Sequence, residues 1–105
     1  MRSRGFSASP AQRVKVRDSV CRICGASEVD PAHVIARARG GCEDALCVIP
    51  LCRRHHRAYD HERTLDVLPA LTRDEQAHAV SHAGLVSALE RTTNERWSPR
   101  LGVAA

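Results

Sequence analysis

A chain of 105 residues has room for one domain and a modest core. With one Phe, one Tyr and one Trp, that core has to come from Ala, Val, Leu and Ile, and a metal staple helps a core of this size. A formal net charge of +4 and a pI of about 9.1 fit a nucleic-acid partner, and no apolar run approaches the roughly 18 residues of a membrane-spanning helix.

The first residues, 1–9, are polar and carry no apolar signal segment. Five cysteines is an odd number, whereas a secreted disulfide framework usually has an even one. The reading is therefore a cytoplasmic protein, in which cysteine spacing more often means metal or catalysis. Fifteen of the sixteen basic residues are arginine, the side chain that grips phosphate with two parallel hydrogen bonds.

Residues 1–12, with Gly5, Pro10 and three serines, read as a flexible basic arm. Val14 and Val16 alternate with Lys15 and Arg17, which suits a short strand or a lead-in to the first cysteine pair. Cys21-Arg22-Ile23-Cys24-Gly25 is a Cys-x-x-Cys knuckle, and Gly25 permits the positive φ of such a turn. Residues 32–36, Ala-His-Val-Ile-Ala, predict one short strand; residues 47–51, Cys-Val-Ile-Pro-Leu, predict a second. The two are expected to pair as a hairpin across a long basic loop containing Gly40 and Gly41. A helix is expected from Arg53 to about residues 61–63, which sets His56 and Asp60 one turn apart on one face. Residues 64–71 read as an apolar connector. Thr72-Arg73-Asp74-Glu75 matches a capping box and opens a helix that continues, with an interruption at Gly84, to about Thr93. A tail follows from Trp97.

Two constellations carry chemistry. Cys21, Cys24, Cys52 and His55 make Cys-x2-Cys, a spacer, then Cys-x2-His. Three thiolates and one imidazole form a closed tetrahedral set for a structural Zn2+, whose binding free energy is folding free energy. Cys42 and Cys47 remain over: either can replace His55 as fourth ligand, or the two can pair when oxidised, but one or both are expected as small buried residues near the hairpin. The second constellation is His33, His56 and Asp60. If His55 points at zinc, the next helical residue points about 100° away, toward another site. His56 and Asp60 then offer an imidazole and a carboxylate to a second ion. Arg37, Arg39, Arg53, Arg54 and Arg57 flank that site and suit phosphate contacts with little base readout. His78 and His82 lie four apart on the late helix without a third ligand nearby in sequence; they read as part of an amphipathic helix covering the finger.

Residues 20–62 resemble the HNH nucleases, on Cys21-x-x-Cys24, Ala32-His33-Val34-Ile35, Gly40-Gly41 and Leu51-Cys52-Arg53-Arg54-His55-His56. The resemblance implies an α+β fold, a small zinc-stapled ββα-metal finger over residues 13–63. Residues 64–97 would be its helical extension and 98–105 a tail. It implies a metal-dependent DNA endonuclease with His33 as general base and His56 and Asp60 holding a catalytic divalent ion. Mg2+ or Mn2+ suits such a site best, and Zn2+ or Ni2+ can occupy it. It also implies DNA as partner, no membrane, and a phage or mobile-element setting with a homodimer or a packaging or recombination protein as company. The sequence departs from the family pattern in three places. Ala32 stands where many members carry a ligand, so that Asp30 or Asp60 has to supply the carboxylate, Asp60 being the favoured one. The central Asn falls near Cys47, leaving the backbone or Asp44 to orient His33. His55 replaces the last knuckle cysteine. The alternative is a zinc-ribbon module that binds nucleic acid without cutting it.

Overall fold

A computed structural model describes residues 8–36 and 42–93. It is a small α+β unit built around a two-stranded antiparallel sheet. Helix α1 spans Pro10–Arg17, where the sequence suggested an arm and then a short strand or a lead-in to the first cysteine pair. The reason is local. Ser9 accepts from the Gln12 N–H while the Gln12 side chain accepts from the Ser9 N–H, and Pro10 sits in the first turn, where its missing donor costs nothing. The Val14/Val16 alternation was too short a sample of a period: Val16 is buried and Val14 is exposed on a helix surface.

Strand β1 is Asp30–His33 and β2 is Val48–Leu51, in register Asp30 to Leu51 and His33 to Val48. The hairpin expected from the sequence forms, but its first strand starts and ends earlier than predicted. Pro31 faces Pro50. Neither has an N–H to give, so that pair occupies a non-hydrogen-bonded position, with its nitrogens on the outer edges. Cys47 falls outside β2, closing a 3-10 turn, Ala45–Cys47, that is capped by the Asp44 carboxylate.

Helix α2, Arg53–Arg57, leaves β2 directly and widens into a π-turn, Ala58–Glu62, which ends at Arg63 in the left-handed region (φ 59). Helix α3, Arg73–Ala83, begins with the Thr72/Glu75 capping box read from the sequence. Gly84 (φ 86) separates it from α4, Leu85–Thr93. Among the described residues no helix is long and apolar enough to cross a membrane.

The pleat assigns the two faces of the hairpin. Ala32, Ile49 and Leu51 point into an aliphatic core with Tyr59, Val67, Leu71, Ala79 and Ala88, so α3 and α4 share one core with the hairpin. Tyr59 is buried and donates to the Val34 carbonyl at 2.6 Å. The opposite face, carrying His33, Val48 and Pro50, lies against α1.

Candidate metal centres and the His33 site

The first centre gathers Cys21, Cys24, Cys52 and His55, whose ligand atoms all lie within 4.8 Å of one another. Each comes from a turn or helix start fixed by backbone bonds. The Gly25 N–H donates to the Cys21 carbonyl at 2.9 Å, closing the knuckle, and the Arg22 N–H ties it to Pro50 of β2 at 3.0 Å. Cys52 is the N-cap of α2, yet its side chain makes no capping bond. Its sulfur instead stands 3.8 Å from Cys24 Sγ and 3.3 Å from His55 Nδ1, and Cys21 Sγ is 3.6 Å from the same nitrogen. Zn–S of about 2.3 Å and Zn–N of about 2.0–2.1 Å give tetrahedral edges of about 3.8 Å between sulfurs and about 3.5 Å between sulfur and nitrogen. The spacing fits a structural zinc. Burial works against ionising Cys21, but hydrogen bonding from the Cys52, Cys24 and Ile23 backbone and from His55 outweighs it and brings the thiol down to about 6. A sulfur so placed is ready to bind as thiolate.

His56, the next residue, turns elsewhere. Its Nδ1 lies 3.3 Å from Asp30 Oδ2, and Arg53 Nε donates to the same oxygen at 3.1 Å. Partial burial raises the Asp30 carboxyl, yet Arg53 and His56 together hold it below its ordinary value. Asp60 is not the carboxylate beside His56. Its Oδ1 accepts from Arg91 at 2.7 Å, and Arg91 also reaches the Val34 carbonyl at 3.4 Å and lies over the Tyr59 ring. What takes the Asp60 carboxylate is tertiary packing: α4 brings Arg91 against it, whereas β1 sets Asp30 beside His56. His33, His56 and Asp60 do not form a three-ligand group among the described residues.

His33 ends β1 on the face toward α1. Its Nε2 is 3.2 Å from the Cys42 carbonyl oxygen. A carbonyl only accepts, so this nitrogen carries the ring proton and Nδ1 is the basic nitrogen of the neutral ring. The Cys42 carbonyl is itself fixed by Gln12, which is fully buried: Nε2 of Gln12 donates to Cys42 at 2.7 Å and to Asp44 at 3.0 Å. Both amide hydrogens are spent there, so the 3.4 Å approach of Gln12 Nε2 to His33 Nε2 is two donors sharing one acceptor. Of the two orienters the sequence offered, the backbone does the work, and Asp44 caps its turn. Gln12 was missed, although Ser9-Pro10-x-Gln12 is a readable capping box.

Cys47 is buried near the hairpin, as expected, and Cys42 is half-buried. With His78 and His82 they form a second group whose ligand atoms all lie within 4.8 Å of one another. Burial and the neighbouring Cys42 thiol push the Cys47 thiol up to about 12. Arg53, Arg54 and Arg57 stand exposed along α2, and a shallow groove beside them is lined by Arg17, Asp30, Arg53 and Arg54. Arg37 and Arg39, with the Gly40-Gly41 pair, lie outside the described residues.

A family model matches residues 9–65, more than half of the chain. The chain belongs to the family described as Protein of unknown function (DUF968). The DUF968 segment runs from the Ser9 cap through α1, the hairpin, α2 and the π-turn. It contains the first metal centre and the His33 site, and leaves α3 and α4 outside. No curated protein and no solved structure matches the chain.

Proposed function

We propose that this DUF968 protein is a metal-dependent DNA endonuclease of the HNH type, with His33 as the general base. The observation that carries the reading is the 3.2 Å approach of His33 Nε2 to the Cys42 carbonyl. It assigns Nε2 the ring proton of the neutral form, in which Nδ1 is the nitrogen that accepts a proton in general-base catalysis. In this scheme Nδ1 takes a proton from water, the water oxygen attacks phosphorus, and the bond from phosphorus to the leaving oxygen breaks. Arg53, Arg54 and Arg57 hold the flanking phosphates.

The carboxylate assigned to the catalytic ion changes from Asp60 to Asp30, which sits against His56. One imidazole and one carboxylate fit Mg2+ or Mn2+, ions that keep several waters and take the rest of their shell from phosphate. Bound there, such an ion would supply charge stabilisation to the scissile phosphate.

A second reading has its own support. The pleat sets Asp30 and His33 on opposite faces, three residues or about 10 Å apart along the strand. Asp30 is also already engaged by Arg53. A zinc-stapled module that binds nucleic acid through the α2 arginines accounts for both. Nicking of supercoiled plasmid with added Mg2+ or Mn2+, wild type against His33→Ala, separates the two. Nicking lost in the variant supports the endonuclease. Equal nicking by both proteins rejects His33 as the base. Retention of DNA without nicking by either supports the binding module.

A further inference from the structure

We propose that Cys42, Cys47, His78 and His82 bind a second zinc ion, which fastens α3 to the loop beneath the hairpin. The spacing alone is that of a Cys2His2 site: four residues separate the cysteines and three separate the histidines. The fold then brings the pairs together across more than thirty residues. His78 Nε2 is 3.0 Å from Cys47 Sγ and 3.2 Å from Cys42 Sγ, and His82 Nε2 is 3.1 Å from His78 Nε2. The two histidines are one α-helical turn apart, which sets both rings on one face of α3.

The sulfurs are held as ligands are held. The Cys42 N–H points to Cys47 Sγ at 3.3 Å and the Asp44 N–H to Cys42 Sγ at 3.4 Å. Such donors stabilise charge on a thiolate. The His78–His82 nitrogen edge and the His78–sulfur edges fall short of the roughly 3.3 and 3.5 Å of a zinc tetrahedron by about 0.2 to 0.5 Å. The two sulfurs, 2.7 Å apart, have to separate by about 1 Å to reach the sulfur–sulfur edge. That distance is also well beyond a disulfide bond of about 2.05 Å.

The site does something the first centre does not. The first centre joins the knuckle to α2 within the DUF968 segment; the second ties that segment to a helix lying outside it. It also anchors Cys42, whose carbonyl faces His33. The proposal does not rest on nuclease activity, and its test is independent of it.

Zinc is counted on the full chain, purified under reducing conditions without chelator. The expected result is two ions per chain in the wild type. One ion should remain in a His78→Ala/His82→Ala variant whose circular dichroism is unchanged. Substitution with Co2+ gives a second readout: thiolate-to-metal charge transfer should fall from five sulfurs' worth in the wild type to three in Cys42→Ser/Cys47→Ser. One zinc in the wild type, two in the histidine variant, or charge transfer unchanged by the serine substitutions would overturn the proposal. So would a Cys42–Cys47 disulfide in the reduced preparation, detected by alkylation and mass.

Discussion

The chain's one lysine, Lys15, donates to Glu75 at 2.6 Å across sixty residues, joining α1 to the first turn of α3. Arg22 of the first knuckle grips the same carboxylate at 2.9 and 3.0 Å, and the Thr72 N–H donates to it at 2.8 Å. The Glu75 side chain is 2% exposed. A carboxylate this buried is tolerable only because every lone pair is used. Glu75→Ala leaves Lys15 and Arg22 partly buried with nothing to neutralise them. The expected loss is about 3–5 kcal/mol by urea unfolding. Glu75→Gln, which keeps a capping oxygen, should lose less.

The same group sets an acid limit. Burial raises the Glu75 carboxyl, but Arg22, Lys15 and the Thr72 N–H outweigh it and bring it from 4.5 to about 2. A depressed folded value means that the contribution is present above the unfolded pKa and drains away as pH falls. Protonation of the zinc ligands acts on both proteins, so the Glu75 contribution is read as the difference in melting temperature between wild type and Glu75→Gln: level between pH 7 and about 5, shrinking between about 4.5 and 2.

Removal of the first zinc is expected to unfold the DUF968 segment. Structural zinc sites bind with about 10–16 kcal/mol, against about 5–15 kcal/mol for the whole stability of a domain. Excess chelator at neutral pH should collapse the helical circular dichroism, and added Zn2+ should restore it. Cys21→Ser, which puts a poor ligand at the most buried position of the set, should not be rescued by equimolar zinc.

Asp30 and Asp60 give opposite expectations in a nicking assay. Asp30→Ala removes the carboxylate beside His56 and should slow nicking by at least tenfold. Asp60→Ala breaks a pair between the half-buried Arg91 and the exposed Asp60 away from His56, and should leave the rate within about twofold. His33→Ala should lose about 10²–10⁴-fold. Plasmid nicking under single-turnover conditions measures all three.

Arg54 and Arg57 stand exposed on α2 beside the groove that Arg53 also lines. Replacing either by Ala should weaken DNA binding about equally for any sequence. The slope of log K against log salt should become shallower by about 1 for each phosphate the variant no longer neutralises. Fluorescence anisotropy at several salt concentrations reads this directly.

Whatever depends on neighbours within a few residues was legible in the chain alone. The Cys-x-x-Cys and Cys-x-x-His pairs, the Thr72/Glu75 box, the interruption at Gly84 and the α2 start after Cys52 are local geometry, and local spacing specifies them. The Ser9/Gln12 box was equally local but lay hidden behind a serine-rich, arm-like stretch. Which distant groups meet was settled by packing in three dimensions. Asp30 rather than Asp60 reaches His56, because antiparallel pairing returns the end of β2 to the start of β1, while Arg91 of α4 holds the Asp60 carboxylate. Cys42 and Cys47 find His78 and His82, and Glu75 finds Lys15 and Arg22, because α3 folds back over the hairpin. No short-range pattern encodes those encounters: they follow from burying one shared aliphatic core, which fixes where each helix lies and hence which polar groups it carries together.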